Sequence, residues 1–223
     1  MKLLVATQAV DLDDPVLGFF HRWLEALAPE CESIHVICLK EGRHVLPPNV
    51  YVHSLGKEQG KSLLRYISRF YRYVLALHSD YDSVFVHMNE EYVLMCGFWW
   101  RLWGKRIVMW RNHKKGTLRT RFAARLCNTI CYTSPESFVA SYPHAVVMPI
   151  GIDTDFFSPG TERNPRSILF LGRLDPVKRC VEFVDALNTL RESGEKFTVD
   201  IVGDNSAVAM ADGVYFSFSY LLR

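Results

Sequence analysis

The chain has no C-x2-C pair. Its six cysteines (Cys31, Cys38, Cys96, Cys127, Cys131 and Cys180) are scattered along the sequence. Cys127 and Cys131 lie four apart, but the residues around them read as a helix end entering a strand, so no zinc site is expected there. Cys38 and Cys131 fall in strand-like apolar runs, where a thiol acts as a small hydrophobe. Long hydrophobic runs are also lacking. The most apolar stretch, 92–103, is short and broken by Arg101, which argues against a membrane-spanning helix. The opening MKLLVATQAVDLDD has too short an apolar run before its acids for a secretory signal. A reduced, cytoplasmic protein is therefore the expectation. No G-x-G-x-x-G follows any strand-like run, which argues against a nicotinamide-dependent Rossmann enzyme. Acids are missing altogether between Glu91 and Glu136, where nine Lys or Arg fall from Arg101 to Arg125, an asymmetry hidden by the net charge of +2.

What is present is an alternation of strand-like and helix-like segments over 223 residues, enough for a sizeable core. Strands are expected at 3–6, 33–39, 50–53, 83–87, 106–110, 129–132 and 145–148. Helices are expected from the Asp14-Pro15 cap to Pro29, over 57–78, over 90–103 and 117–127, with a short one at 135–141. This rhythm implies an α/β fold with a largely parallel sheet covered on both faces. Residues 149–166 break it with three prolines and two glycines and read as a linker. The expected organisation is thus a Rossmann-like domain at 1–148, a linker at 149–166 and a second unit at 167–223. A second domain with its own core needs about 100 residues, whereas 57 follow the linker. An incomplete βαβ unit is expected there, with a strand-like tail at 213–223 and an exposed sheet edge that invites self-association into a homo-oligomer.

Within the second unit, residues 167–178 read SILFLGRLDPVK. A strand ends at Gly172, which permits a sharp turn. Asp175 and Pro176 suit the cap and first position of a helix. A helix N-terminus attracts phosphate, and Arg173 and Lys178 would add two positive charges beside it. The same residues also fit an ordinary strand-to-helix crossover with two solvated cations. On the expected helix at 57–78, Lys57, Lys61, Arg65, Arg69 and Arg72 make a cationic stripe beside an apolar one. That stripe fits a solvated edge or attachment to an anionic membrane surface, with the WWRLWGKR and HKKGTLRTRFAAR segments adding cations and interfacial aromatics. No nucleic-acid-binding signature accompanies these charges.

The strings MPIGIDTDFFSP, ILFLGRLDPVKR and FTVDIVGD, in that order over 146–204, resemble the family 4 glycosyltransferases, which have the two-Rossmann GT-B fold. Over 1–145 the resemblance rests on topology and local features. It implies transfer of a sugar from a nucleotide donor, UDP- or GDP-linked, to an acceptor hydroxyl with retention of configuration and without a required metal or other cofactor. First domains of this family often face the bilayer, so a lipid-linked or membrane-proximal acceptor, and a peripheral place at the inner membrane face, follow as expectations.

By the same resemblance Arg173 and Lys178 match the basic pair that stabilises the leaving diphosphate. Gly172 matches the glycine that lets backbone N–H groups approach the phosphate, and Gly203 closes the next donor-side strand. His87, ending the strand SVFVH, matches a histidine that contacts the transferred sugar; a surface histidine just past a strand is the other reading. Gly18 matches an acceptor-side glycine or simply sits inside the first helix, since the usual Gly-Gly pair is missing. Glu90 and Glu91 read as charges favoured by a helix N-terminus. The family's paired glutamates, seven residues apart in a later segment that binds ribose and sugar, have no counterpart here. The alternative function is therefore a catalytically incomplete remnant that binds acceptor, membrane or a partner.

Overall fold

In the computed structural model the chain divides between Gly151 and Ile152 into two compact units. Residues 1–149, 151–152, 154–155, 157–158, 160, 165–172, 174 and 176–203 are described.

The first unit is a seven-stranded sheet built from β1 (Lys2–Val10), β2 (Ser33–Glu41), β3 (Val50–Ser54), β4 (Ser83–His87), β5 (Arg106–Trp110), β6 (Thr129–Tyr132) and β7 (Ala145–Val147). Every pairing is parallel, in the order β3-β2-β1-β4-β5-β6-β7. The helices are α1 (Phe19–Leu27), α2 (Leu63–Ala76), α3 (Glu90–Leu102) and α4 (Leu118–Leu126). Strand alternation sends neighbouring residues to opposite faces. Leu4 and Ala6 of β1 join Val84, Val86, Ile107, Met109 and Ile130 under α2, α3 and α4, around the fully buried Phe70 and Trp100. Leu3 and Val5 face the other way, onto Phe20 and Leu24 of α1, each such burial contributing roughly 1.5–3 kcal/mol. The strand order reverses between β1 and β4, the place where doubly wound sheets open a crevice at their carboxyl edge.

Several boundaries differ from those expected. The first helix begins at Phe19 because Asp14 closes a turn instead of capping a helix: its Oδ1 accepts from the backbone N–H of Val16 and Leu17. Residues 57–78 are not one helix. Lys57–Gln59 is a 3-10 turn between Gly56 (φ 91°) and Gly60 (φ 104°), and α2 starts after Ser62, whose hydroxyl accepts from the Arg65 amide. Residues 138–141 form a 3-10 turn where a short helix was expected.

The second unit holds β8 (Ser167–Leu171), α5 (Cys180–Glu192) and β9 (Thr198–Val202), with β8 and β9 parallel. Phe170 meets Phe183 of α5 at 5.0 Å between ring centroids. The helix expected from Pro176 is a 3-10 turn, Pro176–Lys178. α5 proper opens after Arg179, which takes a left-handed conformation (φ 56°). The tail at 213–223 lies outside the described residues.

Candidate functional site

The carboxyl ends of β1 and β4, on either side of the strand reversal, are joined by side chains. Ala6 pairs with Val86, so Thr7 and His87 are the next residues out, and Thr7 Oγ1 lies 3.2 Å from His87 Nδ1. One residue further, Gln8 Nε2 donates to Asn89 Oδ1 at 2.7 Å. His87 is not a surface histidine. It is buried, stacked on Phe20 at 4.3 Å between centroids, with the edges of Phe19 and Trp23 at 6.0 and 5.7 Å. Burial pushes its pKa from 6.5 down to about 4. The ring is therefore neutral at physiological pH, one nitrogen donating and the other accepting.

The loop that leaves β4 is held in place. Met88, between His87 and Asn89, has φ 67°, an uncommon conformation for a residue with a side chain and one that concentrates at functional sites. Its N–H donates to Trp110 O at 2.9 Å. Glu90 and Glu91 do open the first turn of α3, but Glu90 has a second role. Its carboxylate lies 3.0 Å from Arg111 Nη1, with about a tenth of each side chain exposed. Arg111 also donates to Lys115 O and Thr120 Oγ1, both at 3.3 Å. In the sequence Arg111 is one cation among nine, and only its place directly after a buried strand hints at a partner.

Gly18 sits at the mouth of α1, neither inside the helix nor in a glycine pair. Its N–H donates to Asp14 O at 3.0 Å, and a Cβ there would lie 2.8 Å from that oxygen. A side chain at position 18 would push α1, and with it Phe19 and Phe20, off His87. Nearby, Asp11 Oδ2 lies 2.9 Å from Lys40 Nζ. The ammonium holds the Asp11 carboxyl below its usual range.

An apolar cavity of about 530 Å³ opens on the first unit, between Trp23 and Leu27 of α1 and the sheet at Phe85, Val108, Trp110 and Cys131. It runs from the amino ends of the strands at Leu3, Ser83 and Arg106 to Trp23 and Trp110, which flank His87 at the carboxyl edge.

In the second unit Gly172 and Gly203 directly follow β8 and β9. Leu171 pairs with Val202, and Gly172 N–H donates to Val202 O at 3.0 Å. Lys178 ends the 3-10 turn, and its Cγ and Cδ lie 4.0 Å from where a Cβ on Gly172 would stand. The unit thus brings Gly172, Gly203 and Lys178 to one carboxyl edge. Arg173 and Asp175 lie outside the described residues. No group of three or more His, Cys, Asp or Glu among the described residues could hold a metal ion.

The cationic stripe expected on α2 is not continuous. Lys57 and Lys61 lie outside the helix. Arg65 turns back to donate to the carbonyls of Gln59 and Gly60, and Arg69 donates to Gln59 Oε1 at 2.9 Å. The WWRLWGKR segment is also partly internal. Trp100 is fully buried, and Lys105 donates to His78 O and Tyr81 O at 2.9 and 2.6 Å.

No family model matches the chain, and no curated protein sequence matches it. Solved structures do. The chain is similar to the lipopolysaccharide outer core galactosyltransferase WaaB, with a TM-score of 0.53, 14% identity, and coverage of 92% of this chain and 69% of that one. It is similar to a Listeria monocytogenes protein described as a UDP-N-acetylglucosamine 2-epimerase, with a TM-score of 0.51, 14% identity, and coverage of 92% and 63%. Acinetobacter baumannii MurG gives a TM-score of 0.48 at 14% identity, over 92% and 67%. The chain thus spans about two thirds of the length of these proteins. At such identities the likeness shows the fold, which is α/β, Rossmann-like and of the GT-B type.

Proposed function

We propose that the chain is a glycosyltransferase that moves a sugar from a UDP- or GDP-linked donor to an acceptor hydroxyl with retention. The observation that carries this reading is the edge formed by Gly172, Gly203 and Lys178. Two parallel strands end side by side in glycines, so backbone N–H groups can approach a diphosphate without hindrance from side chains, and the lysine chain runs beside them. Negative charge grows on the leaving diphosphate as the glycosidic bond breaks, and cations placed beforehand stabilise it. Lys178 has that role, together with Arg173 by its resemblance to the family's basic pair. The fold shared with a galactosyltransferase supports the assignment.

In the first unit His87 is assigned to a hydroxyl of the transferred sugar. A neutral imidazole fixed by Thr7 and Phe20 can donate or accept a hydrogen bond without placing a charge there. Gly18 acts on the acceptor side by letting α1 approach the loop that follows β1.

Calorimetric titration with UDP- and GDP-sugars tests the reading. Saturable binding to one nucleotide class, weakened at least tenfold by Lys178→Ala and by Arg173→Ala, supports it. No heat of binding at millimolar concentrations of either class overturns it in favour of a non-catalytic binding module. Where a donor binds, the anomeric configuration of the product decides retention.

A further inference from the structure

On its own face of the main sheet, α1 packs over Leu3 and Val5. Beside it, β4, β5 and β6 turn Phe85, Val108, Trp110 and Cys131 toward the apolar cavity. Ile107 and Met109, which alternate with the β5 residues, point to the opposite face and join its core. The cavity floor is thus a regular strip of sheet, walled along one side by Trp23 and Leu27.

The strip has a definite size. Arg106 and Trp110 both line the cavity, and the stretch of β5 between them is about 13 Å long at the rise of a strand. Three strands side by side span about 10 Å. A helix of that length, about 10 Å across, would fill about 1,000 Å³, against about 530 Å³ here. An extended peptide would bring backbone N–H and C=O groups against walls of carbon and sulfur that cannot pair them. A single hydrocarbon chain has no such groups. At about 1.2 Å per bond in an extended chain, 13 Å takes about eleven bonds.

The polar lining is at one end. Ser83, Arg106 and Thr129 border the cavity where β4, β5 and β6 begin. The Arg106 side chain is exposed and makes no hydrogen bond or ion pair among the described residues. No acid among those residues lines the cavity. Asp82 and Glu32, which precede β4 and β2, face Lys2 instead: Asp82 accepts from the Lys2 amide at 3.3 Å, and Glu32 lies 3.6 Å from Lys2 Nζ. The cavity therefore joins an apolar channel to a free cation at its amino end.

We propose that this cavity binds a free long-chain carboxylate of about twelve carbons, with its chain along β5 and its head on Arg106. A guanidinium holds a carboxylate in bidentate fashion, and the alkyl chain is buried against the strip. The chain end lies against Trp110 and Trp23, whose ring centroids are 4.9 Å apart. Trp23 in turn stands 5.7 Å from His87, so an occupant touches the rings that wall that histidine. The carboxylate sits at the opposite edge of the sheet from His87, which sets this ligand apart from the acceptor of the proposed transfer. The inference does not depend on the chemistry proposed for the carboxyl edges.

The test is titration of the full chain with monomeric dodecanoate, followed by calorimetry and tryptophan fluorescence. A single saturable site, with a change in emission, is expected. Octanoate should bind at least about tenfold more weakly, since each buried methylene contributes up to about fourfold. This comparison uses the wild-type protein and needs no variant. Arg106→Gln should weaken dodecanoate about fivefold, the scale of an exposed ion pair, and leave dodecanol unchanged. Val108→Phe, which fills the middle of the strip, should weaken both ligands at least about tenfold. Circular dichroism confirms that the variants are folded. Absence of saturable dodecanoate binding at millimolar concentration overturns the proposal. So does equal affinity for octanoate and dodecanoate, binding indifferent to Val108→Phe, or an equal effect of Arg106→Gln on dodecanoate and dodecanol. Association with phosphatidylcholine vesicles but not with monomeric dodecanoate overturns it as well, as does a dimer in light scattering that Val108→Phe dissolves while dodecanoate is ignored.

Discussion

Replacing His87 with phenylalanine should make the first unit less sensitive to acid. The folded-state pKa of His87 is about 4 against 6.5 for an unperturbed histidine, and burial is the cause. A group whose pKa is depressed by folding binds fewer protons folded than unfolded, so its contribution favours the native state above the unfolded value and is lost as pH falls toward the folded value. Between about pH 7.5 and about pH 5 the loss is about 2 kcal/mol, and it approaches about 3 kcal/mol below pH 4. His35 and His53, with Nδ1 of the first 3.1 Å from Nε2 of the second, are also depressed by burial and add to the total drop. The prediction is therefore a difference between proteins. Phenylalanine keeps the stack on Phe20, loses the contact with Thr7 at every pH, and cannot charge. Urea unfolding at the two pH values, followed by tryptophan fluorescence, measures the effect, since all five tryptophans lie in the first unit. The wild type should lose about 2 kcal/mol more stability than His87→Phe over this interval. An equal loss in both proteins would refute a neutral, desolvated His87.

Other features give sharp expectations. Glu90→Gln strands the Arg111 charge in a site with about a tenth of the side chain exposed and should cost about 3 kcal/mol in urea unfolding, most of it recovered when Arg111→Met is added. Gly116→Ala would place a methyl 2.1 Å from Phe138 Cδ1 and should lower stability by about 1–3 kcal/mol through displacement of that ring. Tyr81→Phe removes the hydroxyl oxygen 3.1 Å from Trp100 Nε1 and should cost about 1–3 kcal/mol by leaving a buried donor unpaired. Adding Trp100→Phe to it should then cost less than Trp100→Phe does alone.

Much of the fold was legible because it rests on local periodicity. The strands of β1 and β4 can be read from apolar runs, and the single-residue alternation that sends Leu4 inward under α3 and Leu3 under α1 follows from the pleat. The helix starts were harder, because one side chain serves two local structures. An aspartate that can cap a helix can also close a turn, as Asp14 does, and only the following backbone decides. The break in the α2 stripe was visible in principle, since Gly56 and Gly60 flank KEQ, yet a regular four-residue spacing of cations ran across it and suggested continuity. The pair Glu90–Arg111 was not legible. The two residues are 21 positions apart, and they meet because β4 and β5 run parallel and the Met88 amide reaches Trp110 O. Contacts set by sheet order rather than by sequence spacing appear only when the order is known.

The two carboxyl edges differ in a way that bears on the proposed chemistry. At the first, the buried side chains next to the strand reversal are neutral: Thr7, and His87 with its pKa near 4. The nearby charges Glu90 and Arg111 are matched to each other. Such an edge can orient hydroxyl groups, which need hydrogen-bond donors and acceptors of moderate strength, but it has little surplus charge to set against a diphosphate. At the second, two glycines and a lysine lie together among the described residues, an arrangement suited to phosphate oxygens. On the proposed reading the burden divides accordingly, with leaving-group charge carried by Lys178 and Arg173 and sugar orientation by His87. The division makes the two sites separable in kinetics. Lys178→Ala should lower kcat with both donor and nucleoside diphosphate affinity. His87→Phe should leave nucleoside diphosphate affinity within a factor of about two, because a lost neutral hydrogen bond to the sugar removes no charge from the diphosphate site. A fall in nucleoside diphosphate affinity of more than tenfold in His87→Phe would place His87 on the diphosphate and undo the division.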